Sequence, residues 1–244
     1  MRIGAVIQAR MTSQRCPGKV LRPLGDSTVL GYLIDQLCQS VHLCDDHRED
    51  SLARICVATS DHASDTPIAD YCTNHHWQCV RGSLSDVASR FALALEATAW
   101  DAFIRISGDS PLIDPRLVDV AIERFREGDF DLVTNVFPRS YPRGQSVEVI
   151  KTATFIKMLN RIENQEQREH VTPVFYANPQ DYRIANIRAE RNHSHVQLAI
   201  DTEEDYAVVS AICNTLTRPA WGYDWSDLAR LGEEFRSQAR GVAI

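Results

Sequence analysis

The N-terminal part of the chain alternates between two hydrophobic patterns. The short apolar runs IGAVIQA at Ile3–Ala9 and ARICVAT at Ala53–Thr59 are typical of buried strands. Between them, TVLGYLIDQLCQS at Thr28–Ser40 has apolar residues at 29, 30, 33, 34 and 37, which is the spacing of an amphipathic helix. A strand, a helix and a second strand in this order predict a βαβ unit with parallel strands.

The alternation continues along the chain. It predicts further strands at Gln78–Arg81, Ala102–Ile106, Asp131–Asn135, Ser146–Ile150, Tyr182–Ile187 and Val196–Ile200. It predicts further helices at Thr66–His75, Asp86–Thr98, Pro115–Arg126, Ala153–Glu163, Glu166–Tyr176, Glu203–Leu216 and Trp225–Arg236. Short apolar strands between amphipathic helices favour an α/β fold with a mainly parallel sheet covered on both faces. We expect one domain over residues 1–244, with the irregular region 135–195 as a substrate-side elaboration.

Composition and charge exclude several classes of protein. The 244 residues are 44% hydrophobic and 24% charged, close to the averages of globular proteins. The net charge of −7 provides no overall positive field for nucleic acid or anionic lipid, so a local cluster of cations must meet any anionic ligand. No apolar run approaches the roughly 18 residues of a membrane helix. Seven cysteines without metal-ligand spacing are typical of reduced thiols and favour a cytoplasmic protein.

A cluster of cations follows the first predicted strand. The segment RMTSQRCPGK places Arg10, Arg15 and Lys19 within ten residues, together with two hydroxyl groups and a turn at Pro17–Gly18. Arginine forks and a lysine can hold phosphate oxygens, and a glycine lets backbone N–H groups approach an anion. The segment therefore indicates a phosphate-binding loop, although a solvated basic loop is the alternative. Neither GxxxxGK[ST] nor GxGxxG is present.

Two carboxylates also follow predicted strands. Asp109 comes after Ala102–Ile106, and Asp201 comes after Val196–Ile200. Mg²⁺ is usually held by one or two carboxylates together with phosphate oxygens, so neighbouring strands would give the pair a common metal ion. The alternative is that Asp201 or Thr202 caps the following helix.

The segment Ile7–Leu21, IQARMTSQRCPGKVL, resembles the opening motif of the cytidylyltransferases that activate acidic sugars, which include CMP-Kdo and CMP-acylneuraminate synthetases. The closest resemblance is to the spore coat polysaccharide biosynthesis branch. Further matches lie in the same order along nearly the whole chain, at Val57–Ser60, Arg81–Val87, Arg105–Asp114, Val147–Val149, Arg168–Pro173 and Ile200–Asp205.

This resemblance implies a three-layer α/β/α sandwich, the Rossmann-like nucleotide-diphospho-sugar transferase (GT-A-like) fold, and Mg²⁺-dependent transfer of CMP from CTP to an acidic sugar. It implies that Asp109 and Asp201 hold Mg²⁺ and that Arg10, Arg15, Lys19 and Asp109 form the catalytic set. The nucleotide-binding residues would be Ala9, Arg10, Ser13, Arg15, Lys19, Arg81, Ser83 and Asp86. In the irregular region, an acidic (ulosonic-type) sugar would be recognised by Arg139, Glu148, Arg168 and His170.

The chain departs from the family pattern at two positions. Cys16 replaces a usual Leu, and Ser146 replaces a frequent Asp, so any charge that this Asp would bring to the substrate pocket is missing. A glycosyltransferase of the same fold that uses a preformed sugar nucleotide, and a catalytically silent binding protein, remain alternatives. The one DxD sequence, Asp129–Asp131, precedes its strand, which disfavours the glycosyltransferase. Trp221, Tyr223 and Trp225 predict a packing cluster or the contact of a homodimer.

Overall fold

The computed structural model describes residues 1–44, 54–239 and 241, and seven strands in this part form one mixed sheet. The strand order is β5-β4-β1-β6-β8-β7-β9. β8 is antiparallel to both of its neighbours, whereas the other adjacent pairs are parallel. The strands are β1 (Ile3–Gln8), β4 (Ile55–Ser60), β5 (Gln78–Gly82), β6 (Ala102–Ser107), β7 (Leu132–Thr134), β8 (Glu148–Lys151) and β9 (Ile184–Asn186), while β2 (Pro23–Leu24) and β3 (Ser27–Thr28) form a separate hairpin.

Helices cover both faces of this sheet. They are α1 (Val29–Leu37), α2 (Thr66–Asn74), α3 (Val87–Thr98), α4 (Pro115–Arg126), α5 (Thr152–Leu159), α6 (Gln165–His170), α7 (Pro173–Ala177), α8 (Glu203–Thr215) and α9 (Trp225–Ala239). Because side chains alternate along a strand, Ile7 of β1 packs in one buried cluster with Leu33 of α1, and Val6 packs in another with Phe91 of α3. The predicted three-layer α/β/α sandwich with a mainly parallel sheet is confirmed.

Two predicted elements differ in the structure. Val196–Ile200 is not a strand, because only Gln197 forms an isolated bridge, with Arg143. The helix predicted at Glu166–Tyr176 is interrupted between α6 and α7, where Val171 has a φ of +68°. Pro173 lacks an N–H group and therefore begins a helix more readily than it continues one. Ala53, the first residue of the second predicted strand, lies outside the described residues.

The C-terminal aromatic residues pack within the chain. Trp225 contacts Tyr141 and His193 edge-on, with ring centroids 4.9 and 5.2 Å apart, so this part of the cluster contributes to internal packing. Trp221 remains partly exposed. A homodimer stays a prediction. None of the helices within 1–44, 54–239 and 241 combines the length and apolar character needed to cross a membrane.

Candidate active site

A cleft of about 640 Å³ opens at the carboxyl ends of β1 and β6. This is the edge where open α/β sheets bind ligands. The structure brings together there eight of the residues singled out from the sequence, which are Ala9, Arg10, Ser13, Arg15, Lys19, Asp109, His170 and Asp201. The other lining residues are Gln8, Thr12, Gln14, Val20, Val87, Arg90, Ser107, Gly108 and Glu169.

The loop after β1 is closed by hydrogen bonds to its own backbone. The amide groups of Ser13 and Gly18 both donate to the carbonyl oxygen of Met11, at 3.0 and 2.9 Å, and Gly18 has a φ of +69°. The N–H of Met11 in turn donates to the fully buried carboxylate of Asp65 at 2.7 Å. Because the left-handed conformation favours glycine, Gly18 allows the chain to turn back here. The loop therefore presents its cations to the cleft from a fixed backbone.

Lys19 lies between the two predicted metal-binding carboxylates. Its Nζ donates to Oδ2 of Asp109 at 2.6 Å and lies 3.5 Å from Oδ1 of Asp201. The same Nζ donates to the carbonyl oxygen of Ile200 at 2.6 Å. Arg15 approaches Oδ1 of Asp201 at 3.3 Å from the solvent side. One nitrogen thus marks a point where both carboxylates converge, although the two acids are far apart in sequence.

Backbone hydrogen bonds, rather than a strand, bring Asp201 to this position. The N–H of Ile200 donates to the carbonyl oxygen of Asp109 at 2.8 Å, and the N–H of Leu198 donates to that of Arg143 at 2.8 Å. The first bond attaches this irregular segment next to the end of β6, and the second attaches it to the loop before β8. The prediction that Asp201 follows a strand is therefore wrong, but the predicted neighbourhood of Asp109 and Asp201 is present.

The carboxylate of Asp201 is not used to cap α8. Thr202 is the N-cap residue, and it forms a capping box with Asp205, whose N–H donates to Oγ1 of Thr202 at 3.2 Å. Burial acts to raise the pKa of Asp205, but hydrogen bonds from Arg236 and Thr202 outweigh it and hold the pKa below its ordinary value. The capping role belongs to these residues, so Asp201 is left for the cleft.

The donor set of the cleft fits a hard divalent cation. Within the described residues, no group of three or more His, Cys, Asp or Glu side chains forms a complete metal site. The converging carboxylates of Asp109 and Asp201, beside the cations of the loop after β1, are oxygen donors of the kind that Mg²⁺ takes together with phosphate oxygens.

On the opposite side, α6 contributes Glu169 and His170. Nη2 of Arg10 donates to Oε1 of Glu169 at 2.8 Å, and both side chains are partly exposed. His170 ends α6 and lines the cleft. A residue of the irregular region is thus paired with the loop after β1.

The cleft lining formed by the described residues does not include six predicted site residues, which are Arg81, Ser83, Asp86, Arg139, Glu148 and Arg168. Arg81 donates to the carbonyl oxygens of Ser60 and His62, at 2.9 and 3.1 Å. Asp86 caps α3 by accepting from Ser89 N–H at 2.9 Å, and it forms an ion pair of 2.8 Å with Arg168. Ser83 accepts a hydrogen bond from the N–H of Asp86. These contacts are structural, and direct ligand contacts by Arg81, Ser83, Asp86 and Arg168 remain predictions.

Glu148 and Arg139 belong to a separate polar cluster. Glu148 is buried, pairs with Arg105 at 2.7 Å and accepts a hydrogen bond from the Tyr176 hydroxyl, whose pKa is raised mainly by burial. Arg139 donates from Nη2 to Oγ of Ser146 at 2.9 Å. Strands β6 and β8 are antiparallel, and Glu148 lies opposite Arg105. The residues that precede Glu148 therefore extend toward the carboxyl end of β6. The cluster therefore lies toward the same edge of the sheet as Asp109.

Sequence reasoning missed two charged residues of the cleft. Arg90 lies on α3, where the sequence pattern indicates an ordinary polar residue of a helix. Glu169 lies inside the matched motif Arg168–Pro173, but no role was predicted for it. One signal for Arg90 was available in the sequence. Arg90 follows Asp86, the N-cap of α3, by four residues, and residues in the first turn of a helix lie next to the loops that form a site.

Comparisons with known proteins agree with this architecture. A family model described as Cytidylyltransferase matches residues 5–235. The chain is 36% identical over 213 residues to the spore coat polysaccharide biosynthesis protein SpsF of Bacillus subtilis (strain 168), covering 85% of this chain and 84% of that protein. It is 32% identical over 127 residues to a 3-deoxy-manno-octulosonate cytidylyltransferase of Trichlorobacter lovleyi, covering 51% of this chain and 45% of that protein.

A solved structure of a cytidylyltransferase from Leptospira borgpetersenii is also similar. It has a TM-score of 0.88 and 27% identity, and the match covers 100% of this chain and 99% of that chain. The family match spans most of the chain, including the loop after β1 and both carboxylates of the cleft. The protein is therefore a nucleotidyltransferase, and it belongs to the cytidylyltransferase family.

Proposed function

We propose that the protein transfers CMP from CTP to an acidic, ulosonic-type sugar and releases pyrophosphate, in a Mg²⁺-dependent step of surface polysaccharide biosynthesis. The observation that carries this proposal is the convergence of Lys19, Asp109 and Asp201 beside the cations of the loop after β1. The names of the relatives from Trichlorobacter lovleyi and Bacillus subtilis support the cytidylyl donor and the pathway class. The seven cysteines form no disulfide bond with one another, which agrees with a cytoplasmic setting.

In the proposed reaction, a hydroxyl oxygen of the sugar attacks the α-phosphorus of CTP in line, the bond from that phosphorus to the pyrophosphate oxygen breaks, and the hydroxyl proton is released to water. Arg10, Arg15 and Lys19 bind the phosphate oxygens and stabilise the negative charge that develops on the leaving pyrophosphate. The protein otherwise contributes mainly by aligning the attacking oxygen with the α-phosphorus.

Asp109 and Asp201 are the residues that would hold a divalent cation, which supplies charge neutralisation at the phosphate oxygens. In the structure, the ammonium of Lys19 contacts both carboxylates. Lys19 can therefore exchange one anionic partner for another, carboxylate oxygens for phosphate oxygens, without being left unpaired, which suits a residue that holds the triphosphate.

The acidic character of the sugar is supported by Arg139. Among the described residues, Arg139 forms no ion pair, and its contact with Ser146 is a neutral hydrogen bond. A carboxylate at position 146 would neutralise this guanidinium, whereas a serine leaves its charge for an anionic ligand. His170, which lines the cleft, is a second group that the sugar would meet.

The decisive experiment measures pyrophosphate release from CTP across a panel of ulosonic and related acidic sugars, with and without Mg²⁺. UTP, ATP and GTP serve as controls for the donor, and the matching neutral sugars serve as controls for the acceptor. We expect release only with CTP, Mg²⁺ and an acidic sugar. Activity that requires a preformed sugar nucleotide, or binding without turnover for every sugar, would contradict the proposal.

A further inference from the structure

Arg90 is a buried cation with two guanidinium nitrogens that have no hydrogen-bond partner among the described residues. It extends from α3 into the lining of the cleft and is only 1% exposed. Its Nε and Nη1 are buried and have no hydrogen-bond partner among the described residues. Buried polar groups are normally paired, because an unpaired donor loses its bonds to water without replacement. An unpaired guanidinium in the wall of a cleft therefore indicates a ligand that supplies the missing acceptors.

The surrounding fold makes room for this side chain. A Cβ atom at Gly82 would lie 3.1 Å from Cγ of Arg90, closer than an ordinary contact, so the glycine at the end of β5 lets the aliphatic stem pass. Asp86 caps the helix one turn earlier by accepting from Ser89 N–H, which fixes the backbone next to Arg90. The position of Arg90 therefore depends on the space left by Gly82 and on the capped start of α3, and not on a hydrogen bond to Nε or Nη1.

Burial lowers the pKa of Arg90 and the charge of Arg10 lowers it further, whereas nearby carboxylates favour the charged form. Asp65, Asp86 and Asp61 are the acids that act on it most strongly, and none of them accepts a hydrogen bond from it. By contrast, Lys19 and Arg15 approach Asp109 and Asp201 directly. The loop cations are the groups suited to phosphate, whereas the planar donors of Arg90, which already lies near three carboxylates, are suited to a ligand with adjacent acceptor atoms.

We propose that Arg90 recognises the nucleobase of the nucleotide, by donating from its guanidinium to O2 and N3 of cytosine. This inference rests on the proposed use of CTP. Cytosine presents O2 and N3 as neighbouring acceptors, whereas N3 of uracil carries a hydrogen and would face the guanidinium donor with another donor. A site built to hydrogen-bond one partner discriminates strongly against an analogue that leaves its buried donors unpaired. Arg90 is therefore a specificity-determining residue for CTP over UTP.

The test compares CTP, UTP and inorganic tripolyphosphate by calorimetry on the full chain in one Mg²⁺-containing buffer. We expect Arg90→Met to weaken CTP binding by about tenfold or more, to leave tripolyphosphate binding within about twofold, and to bring the ratio of CTP to UTP affinity close to one. Arg90→Lys keeps the charge without the planar fork and should also lose the preference for CTP. Arg124→Met, on the surface of α4, is the matched control.

The outcomes separate this inference from the function on which it rests. Equal losses for CTP and tripolyphosphate would make Arg90 a phosphate ligand and overturn the assignment, as would a CTP preference that survives both substitutions. If Arg90→Met does not fold, Arg90→Lys is measured in its place. Wild-type protein that binds no CTP would overturn the proposed function, whereas wild-type protein that binds CTP and UTP equally would overturn only the role of Arg90.

Discussion

Arg10 and Glu169 form an ion pair of 2.8 Å across the cleft, although 159 residues separate them in sequence. The pair joins the loop after β1 to α6 in the irregular region. Because both side chains are partly exposed, the pair contributes little to stability. Its effect is on ligand binding, because Glu169 pairs with the Arg10 guanidinium that a phosphate group would otherwise contact.

Replacing Glu169 with Gln should therefore improve the binding of polyphosphates. We expect the Kd for inorganic tripolyphosphate to fall by about two- to fivefold, within the range of an exposed ion pair. Calorimetry at low salt measures this change. Glu166→Gln, in the first turn of the same helix, is the matched control and should leave the Kd unchanged. A weaker affinity in Glu169→Gln would show that Glu169 assists the anion rather than competing with it.

Lys19 should have a larger effect on nucleotide binding than any exposed cation. Lys19→Ala removes a buried ammonium and leaves Asp109 and Asp201 facing each other, so we expect CTP binding to weaken by on the order of 1.5–3 kcal/mol. The measurement is calorimetric titration with CTP. Lys157→Ala, in the last turn of α5, is the control. Unchanged CTP affinity in Lys19→Ala would remove this residue from the nucleotide site.

Asp109 and Asp201 should act as a unit in the Mg²⁺-dependent reaction. We expect Asp109→Asn and Asp201→Asn each to abolish turnover, with the double variant hardly worse than either single one. Because Thr202 provides the N-cap of α8, Asp201→Asn should keep the wild-type Tm. Pyrophosphate release as a function of Mg²⁺ concentration, together with thermal unfolding, checks both statements. Full activity of Asp201→Asn would exclude this carboxylate from the reaction.

Asp205 should make stability depend on pH. Its carboxylate accepts from Arg236 at 2.5 Å, and its folded-state pKa lies below the ordinary value. A depressed pKa stabilises the fold above the unfolded-state pKa of about 4, and this contribution is lost as the pH falls through the folded-state value. Urea unfolding should show Asp205→Asn to be less stable than wild type at pH 7 by about 1–2 kcal/mol, with the difference shrinking below about pH 4.

Asp227→Asn, which changes a more exposed carboxylate in the first turn of α9, is the control for this titration. It should follow the wild-type pH profile. A difference between wild type and Asp205→Asn that stays constant down to acidic pH would contradict the role of the Asp205 charge.

Ser146 offers a test of the sugar site. Ser146→Asp should place a carboxylate next to Arg139 and neutralise it, so we expect the KM for the acidic sugar to rise by about fivefold or more while the KM for CTP stays unchanged. Ser146→Asn, of similar size but neutral, is the control. Steady-state kinetics with each substrate varied in turn distinguishes the two effects, and an equal change in both KM values would place Arg139 away from the sugar.

The layered fold and the edge of the cleft were predictable because they follow from short-range patterns. Alternating apolar runs and amphipathic helices identified the sheet, and the cations after the first strand identified the loop. The position of Asp201 was predicted from a strand at Val196–Ile200 that is absent from the structure. This segment is attached by single backbone hydrogen bonds, and its apolar sequence cannot be distinguished from that of a strand. The family resemblance is confirmed by the match over residues 5–235.

Long-range contacts explain what could not be predicted. Arg81 and Asp86 belong to a matched motif, yet their observed partners are backbone carbonyls, a helix cap and Arg168, which only the folded chain brings near. Arg90 is buried by Gly82 and neighbouring elements, and no local pattern distinguishes it from an exposed helix arginine. Roles that depend on burial therefore required the structure.

The ammonium of Lys19 gives the cleft its own counter-ion. Two carboxylates brought together during folding would repel each other, but Lys19 compensates them from within the chain. Proteins whose metal sites lack such compensation often need the ion in order to fold, since binding and folding then share one free energy. A divalent cation held as proposed would meet carboxylates that Lys19 already compensates, so we expect the native state to be stable without the metal ion and to remain so when the ion leaves with the nucleotide.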